Sequence, residues 1–327
     1  MNMKSLKILL PSIFCLVLLN TCQHNKSSGN NTSTVQTPSS TPSSDDNPQN
    51  SETPPTVNQQ QNTISIPEGY NHFNGIPVEK FPRTNTDPNR YNADNNIYKP
   101  GRVFVYGYYY ETPDGKQLLA QNLDVDTIAS SKAWQFIYAN QINTQTITEV
   151  LFTVQDGLGI LGQIRPDYNR TTVEINYNMP DGMGTFKEFM GFIENPLGVW
   201  IYPPRQKIFG VLSLNPQPYI KAPYEVGHQW EWGGTMVGSN YSDPRWAEWG
   251  NRIITQSKYK IIGKKNIDTP IGSLECFEVN AFGENRLGNS QLTAYFNEQY
   301  GFVQMNYLNV DGSKVILLLK EVREAKS

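Results

Sequence analysis

Beyond residue 100, short runs of β-branched and aromatic residues alternate with turn residues, and this pattern constrains the fold more than any other feature. Such runs are typical of β-strands. The predicted strands are 102–111, 146–154, 171–178, 207–214, 274–282, 292–296, 302–308 and 314–322. Turn sequences of Pro, Asp and Gly lie at 113–115, 180–182, 270–272 and 311–312. Because Pro fixes φ and Gly accepts positive φ, we expect tight turns between antiparallel neighbours.

The composition agrees with a mainly β protein. Aromatic residues make up 12% of the chain and charged residues 17%, against about 25% charged residues in an average soluble domain. We therefore predict one large, bent antiparallel sheet, half-barrel or sandwich-like, with one short helix and a disordered linker before it. The net charge of −3 argues against nucleic acid as a partner, since phosphate-binding surfaces are usually basic.

Two segments carry sharper structural predictions. Residues 130–140 are the helix candidate, because Ser130 could cap a helix on which Trp134, Ile137 and Tyr138 share one face. A strand is the alternative, since aromatic and β-branched residues also suit a sheet. The last strand, 314–322, is apolar from 315 to 319 without alternation. We expect it to pair with strand 302–308 and to be covered on both faces.

The first 22 residues are typical of a targeting segment. Lys4 and Lys7 precede an apolar stretch at 8–19, which is shorter than the roughly 20 residues a membrane-spanning helix needs. Residues 1–21 are thus predicted to be a secretory signal peptide. The sequence Leu-Asn-Thr-Cys that ends at Cys22 resembles a bacterial lipobox, which makes Cys22 the predicted lipid-attachment site. An ordinary secretory signal with a nearby Cys is the alternative.

A polar segment follows Cys22. Ser, Thr, Asn, Gln and Pro fill 33 of the 41 positions from 23 to 63. Such a segment buries too little apolar surface to offset the entropy of ordering, so we predict a disordered tether at 22–63. The folded part is predicted to be a single β-rich domain at 64–327, whose first residues, up to 100, form an extended, partly ordered arm.

The best candidate binding residues lie in one Trp-rich segment, 230–249. Four of the six Trp fall within these 20 residues, interleaved with charged groups. The candidates are Trp230, Trp232, Trp246, Trp249, Glu231 and Arg245. Aromatic faces beside carboxylates suit sugar rings, and two suitably spaced carboxylates can hydrolyse a glycoside. Alternatively these Trp fill a core, because Trp230 and Trp232 share one strand face.

The sequence otherwise favours a non-catalytic protein, and we assign no catalytic residue. No Gly-x-Ser-x-Gly or Gly-x-Gly-x-x-Gly motif occurs. His72, His228 and Cys276 are far apart in the sequence, so we expect no metal site and no cofactor. Cys276 follows a predicted turn and is expected to be a small core residue rather than a reactive thiol.

The C-terminal hundred residues contain landmarks in a familiar order. These are GHQWEW at 227–232, YKIIG at 259–263, TPIGSLECFEV at 269–279, and YF with YGFV between 295 and 303. This run resembles DUF3108-like bacterial envelope proteins, some of them lipoproteins of Bacteroidota. The resemblance implies a bent sheet similar to the LolA/LolB half-barrel, which can cradle an apolar group. Its motifs are structural and imply no active site.

These observations together predict a non-catalytic lipoprotein of the bacterial cell envelope. We expect a membrane partner through the lipid anchor, and an apolar or lipid-like ligand or an envelope partner for the folded part. No acidic run follows Cys22, and in the resembled lipoproteins this implies the outer membrane, facing the periplasm. The alternatives are a carbohydrate-binding protein that uses 230–249 to hold a glycan, and a glycoside hydrolase.

Overall fold

The computed structural model describes residues 67–325, apart from 83, 124–132, 158, 165–168, 181–186 and 235. The predicted signal peptide, the lipid-attachment Cys22 and the polar tether therefore lie outside the described residues. Residues 66–327 form one compact unit by their internal contacts.

Strands dominate the described residues. The first nine are β1 (Tyr70–Phe73), β2 (Ile76–Glu79), β3 (Val103–Glu111), β4 (Gln117–Asn122), β5 (Trp134–Tyr138), β6 (Glu149–Val154), β7 (Thr171–Asn178), β8 (Lys187–Asn195) and β9 (Gly198–Trp200). The other nine are β10 (Tyr219–Lys221), β11 (Gln229–Trp232), β12 (Met236–Val237), β13 (Ile253–Ile254), β14 (Gln256–Thr269), β15 (Gly272–Asn285), β16 (Gly288–Asn297), β17 (Gly301–Leu308) and β18 (Lys314–Arg323). The helical segments are α1 (Gly159–Ile164) and the 3-10 helices Lys207–Leu214 and Ser239–Tyr241.

Fourteen of these strands belong to one antiparallel sheet. Its order is β10-β9-β8-β7-β6-β3-β18-β17-β16-β15-β14-β11. Outside this order, β4 pairs with β3 and β5 pairs with β4. The hairpins β1-β2 and β12-β13 form two separate two-stranded sheets. The prediction of a mainly β fold with a large bent antiparallel sheet and one short helix is thus confirmed.

The sheet curls until its two ends meet, so that it is nearly closed. The ring of Tyr219 on β10 lies 5.7 Å from Trp230 on β11 and 5.8 Å from Tyr259 on β14. No strand pairing joins β10 to β11 among the described residues. Aromatic packing, rather than a hydrogen-bonded ladder, therefore brings these edges together.

The interior is filled by the chain itself. The 3-10 helix Lys207–Leu214 is buried along its whole length, and its Phe209 ring packs against Tyr108 and Tyr177 of the surrounding sheet. The strand predicted at 207–214 is therefore wrong. This apolar segment gains burial from side chains all around it, and thus it needs no strand neighbour to be stable.

The helix predicted at 130–140 is also wrong where the structure describes it. Residues Trp134–Tyr138 form β5, which pairs with β4 and sets Phe136 opposite Ala120. The strand alternative is correct because alternation puts Trp134 and Phe136 on one face, where Phe136 packs on Tyr110 and Trp134 stacks on Trp246. Residues 130–132 lie outside the described residues.

The last strand pairs as predicted, but its two faces differ. β18 pairs with β17 across a turn in which Gly312 has a φ of +81°. Leu317 is fully buried, whereas Ile316 and Leu318 are only half-buried. The expectation that both faces are covered is met completely only on the inner face, which points into the aromatic interior, while the outer face is partly covered.

Candidate functional site

The Trp-rich segment lies mostly in apolar cores. Trp230 and Trp232 are 7% and 5% exposed on the same face of β11, and both belong to the main core. Trp249 is 7% exposed in a second, smaller core, and Trp246 is half-buried between the two. These Trp therefore do not form an exposed aromatic platform, the feature on which the glycan-binding alternative depended.

The charged candidates in this segment are held in ion pairs. Glu231 is exposed, with its Oε1 atom 3.7 Å from Nζ of Lys258. Arg245 places a nitrogen 2.5 Å from the buried Asp243 carboxylate and its guanidinium carbon 3.7 Å from the Trp134 ring centre. Each of these two carboxylates thus has a cation beside it, and the exposed Glu231 pair contributes little to stability.

A buried polar cluster fixes the start of the interior 3-10 helix. The Tyr177 hydroxyl donates to Oε1 of Glu188. The backbone N–H of Arg205 donates to the Tyr177 oxygen at 3.0 Å and to Oε1 of Glu188 at 2.9 Å. The N–H of Gln206 also donates to the Tyr177 oxygen, at 3.1 Å. Burial raises the pKa of Glu188 above its ordinary value. This cluster holds the turn that leads the chain into the interior.

Other chemistry finds little support in the described residues. Cys276 is buried, and burial raises its thiol pKa to about 12, so the thiolate needed for reactivity is not formed at neutral pH. Within the ranges that the structure describes, no group of three or more His, Cys, Asp or Glu is placed to hold a metal ion. None of the helices described there is long and apolar enough to cross a bilayer.

A cleft lies where the N-terminal arm meets β7 and β8, and we call it the hairpin cleft. It is small, with a cavity volume of about 20 Å³. The arm contributes one wall, made of Val78, Glu79, Phe81 and Tyr91. The sheet contributes the other, made of Asn169, Arg170, Thr171, Phe192, Ile193, Glu194 and Asn195.

The strand register explains the sheet wall of the cleft. Phe192 pairs with Thr171 and points inward, where its ring lies 5.0 Å from Tyr98. Ile193 pairs with Trp200, which in turn pairs with Tyr219. The Tyr219 ring packs on Trp230 and Tyr259, so Ile193 shares a face with these core rings. Ile193 is buried and belongs to the main core where it borders the cleft.

Hydrogen bonds from the sheet hold the arm in place. The carboxylate of Glu194 accepts the backbone N–H groups of Asn96, Ile97 and Tyr98 at 2.6, 2.9 and 2.8 Å. The Asn195 side-chain amide donates to the backbone oxygen of Pro77 at 3.0 Å. Both partners come from the end of β8, so this strand end anchors the arm at two separate points.

The cleft combines an apolar wall with charged groups at its rim. Burial, and then the nearby Asp94, raise the pKa of Glu79. Burial also raises the pKa of Glu194, although its three N–H donors oppose this change. The Arg170 guanidinium carbon lies 3.8 Å from the Phe73 ring centre. Val78 and Ile193 are buried, so the apolar surface open to a ligand comes from the half-buried Phe81 and Tyr91 rings.

Sequence reasoning missed this cleft. Its two walls are separated by about 80 to 120 positions in the chain, and no local motif marks either of them. The arm at 64–100 was expected to be partly ordered, and that was the only available signal. Only the folded chain shows that this arm lies against β8.

Comparisons with known proteins add little. No protein-family model matches the sequence, and no curated protein matches it. A protein described as exported and with a YmcC-like fold, from Bacteroides fragilis NCTC 9343, is 10% identical with a TM-score of 0.36, over 70% of this chain and 98% of that chain. A protein described as a lipoprotein, from Parabacteroides distasonis ATCC 8503, is 13% identical with a TM-score of 0.39, over 70% of this chain and 100% of that chain. Because both TM-scores are below 0.5, these two likenesses carry no conclusion about function.

Proposed function

We propose that this protein is a non-catalytic lipoprotein of the bacterial cell envelope whose folded unit binds an apolar or lipid-like ligand. Acyl chains on Cys22 anchor it to the outer membrane, and the tether at 22–63 separates the anchor from the folded unit on the periplasmic side. The binding site is the hairpin cleft. In the second form of this proposal, the ligand is an envelope partner that inserts an apolar group into the same cleft.

The proposal rests on the two walls of the hairpin cleft, one aromatic and the other containing a charged side chain. Phe81 and Tyr91 pack edge to face, with ring centres 4.7 Å apart, on the arm side. The buried Ile193 and the charged Arg170 face them from the sheet. The interior that a half-barrel would offer to a ligand is occupied by Lys207–Leu214, so we assign the proposed ligand to the cleft beside β7 and β8 rather than to the interior.

A fluorescent fatty acid tests this site. Dansylated undecanoic acid, titrated into the purified protein, is expected to bind and to gain fluorescence. Phe81→Ala removes a half-buried ring from the cleft and should weaken binding about tenfold, the effect of losing roughly 1.5 kcal/mol of apolar contact. The matched control is Phe282→Ala, because Phe282 is an exposed aromatic outside the cleft.

Two outcomes would contradict the proposal. One is that the wild-type protein does not bind the probe at all. The other is that Phe81→Ala and Phe282→Ala weaken binding equally, which would place the probe on general apolar surface. Circular dichroism of both variants checks that they remain folded.

A further inference from the structure

A second cluster of charged and aromatic side chains lies at the opposite end of β7 and β8 from the hairpin cleft. It surrounds the start of the interior 3-10 helix, where the backbone of Arg205 is bound by Tyr177 and Glu188. The Arg205 guanidinium carbon lies 4.7 Å from the Tyr202 ring centre and 5.7 Å from the Tyr241 ring centre. Arg205 is half-buried, so part of its side chain is open to solvent beside two aromatic rings.

The Trp246 ring joins this guanidinium to the Trp-rich segment. A side-chain carbon placed on Gly210 would lie 3.2 Å from the Trp246 ring and 3.6 Å from the backbone oxygen of Arg205, so the ring lies against the start of the 3-10 helix. The indole nitrogen of Trp246 and Nε of Arg205 are buried N–H donors, and neither has a hydrogen-bond acceptor in the part of the chain that the structure describes. Because buried donors are nearly always paired in folded proteins, two unpaired donors around one surface point to an acceptor from outside the chain.

The ionic surroundings of Arg205 differ from those of Arg245, the second guanidinium beside Trp246. The Arg245 guanidinium carbon lies 5.9 Å from the Trp246 ring centre. Its Nε and Nη2 atoms donate to the two carboxylate oxygens of Asp243 at 2.7 and 2.5 Å. Arg205 instead donates from Nη2 to the sulfur of Met190 at 2.8 Å, and within the described ranges no carboxylate lies at ion-pair distance from it. Since a guanidinium stays charged at physiological pH, Arg205 carries a positive charge that no contacting acid neutralises.

We propose that Arg205 and the indole N–H of Trp246 form a binding site for an oxyanion, that is, a carboxylate or phosphate group. A guanidinium binds such a group through two parallel N–H bonds, and the bound oxygens supply acceptors for both unpaired donors. Glu188 acts on Arg205 from beyond ion-pair distance, so its ionised carboxylate opposes the bound anion. This site is separate from the hairpin cleft and does not depend on the function proposed for that cleft.

Titration of the purified protein with sodium phosphate and with sodium acetate tests the site, with ionic strength held constant by sodium chloride. A saturable change in tryptophan fluorescence is expected, because Trp246 contacts the bound group. Arg205→Met removes the charge and should weaken binding at least tenfold. Arg205→Lys should weaken it several-fold, because Lys lacks the two-donor geometry. The matched control is Arg252→Met, which removes an exposed Arg that also contacts a Met sulfur, that of Met236 at 3.3 Å, and should bind as the wild type does.

Two further titrations sharpen the test. Glu188→Gln removes the opposing charge and should bind phosphate several-fold more tightly. Dihexanoyl phosphatidic acid, a water-soluble lipid, separates the two sources of the anion. Binding at least tenfold tighter than that of inorganic phosphate, lost in Arg205→Met, assigns the group to a lipid headgroup, whereas equal affinities assign it to a free anion.

Three outcomes would overturn the site. The first is that none of the three probes binds saturably to the wild type. The second is that Arg205→Met and Arg252→Met lose affinity equally, which would indicate attraction by overall charge. The third is that Arg205→Lys, the variant that decides if circular dichroism shows Arg205→Met to be unfolded, binds as tightly as the wild type.

Discussion

Tyr219 and Trp230 hold together the two ends of a sheet that no hydrogen-bonded ladder closes in the described part of the chain. Their rings lie 5.7 Å apart in an edge-to-face contact, and Trp230 in turn stacks on Tyr259 at 5.3 Å with the two ring planes 5° apart. Since an unpaired sheet edge is normally exposed, this aromatic contact keeps the nearly closed shape. It also keeps β9 and β11 close enough for Trp200 and Trp232 to meet.

Trp230→Ala should therefore destabilise the protein strongly. Replacing a buried Trp by Ala costs about 3–5 kcal/mol, and here the cavity opens at the point where the sheet ends meet. Urea denaturation gives the free energy of unfolding. The control is Tyr138→Ala, which removes an exposed aromatic and should change stability by no more than about 0.5 kcal/mol. A similar loss in both variants would show that the contact with Tyr219 does not hold the ends together.

Neighbouring residues of β18 should respond differently to the same substitution. Leu317→Asp places a carboxylate in the interior, opposite Tyr108, and should cost more than about 4 kcal/mol or prevent folding. Leu318→Asp acts on the half-buried outer face and should cost roughly half as much or less. Thermal melts of the two variants measure this difference. Equal losses would mean that the outer face of β18 is covered as completely as the inner one.

The buried Glu188 predicts a definite pH dependence of stability. Burial raises its pKa above the ordinary value of 4.5, so the folded state binds this proton more tightly than the unfolded state does. The stability that neutral Glu188 contributes is fully present below its ordinary pKa. It is lost as the pH rises through the raised pKa of the folded state. The wild type should therefore lose stability from pH 5 towards neutral pH.

Glu188→Gln keeps an acceptor for the Tyr177 hydroxyl and removes the titrating group. The loss of melting temperature between pH 5 and 7 should then become smaller. It should not vanish, because the pKa values of Glu79 and Glu194 are raised in the same direction. Identical pH profiles for variant and wild type would show that Glu188 titrates normally in the folded protein.

Cys22→Ala tests the anchor. The predicted lipid on Cys22 supplies the paired acyl chains that stable membrane attachment requires, so the variant should move from the membrane fraction to the soluble fraction. The wild type should carry a matching mass increment at Cys22. Membrane attachment that persists in the variant, with no such increment in the wild type, would refute the lipoprotein assignment.

Local sequence patterns predicted seven of the eighteen described strands, namely β3, β6, β7 and β15 to β18. β7 begins and ends at Thr171 and Asn178 as predicted, and the turn at Gly312 joins β17 to β18 as expected. The same reasoning failed at 207–214 and at 134–138. Both segments are apolar, and an apolar segment suits a strand, a helix or an interior filler equally well until its neighbours are known.

The sequence by itself thus determined the fold class, the targeting pattern and the absence of recognisable catalytic motifs, because these depend on local composition and spacing. Only the tertiary structure decided where the Trp side chains lie and that the arm lies against β8. Trp200 and Trp232 come from opposite ends of the sheet and meet beneath Phe73 and Asn74 of the hairpin. Such contacts depend on how far the sheet curls, and that follows from the packing of the whole interior rather than from any local sequence.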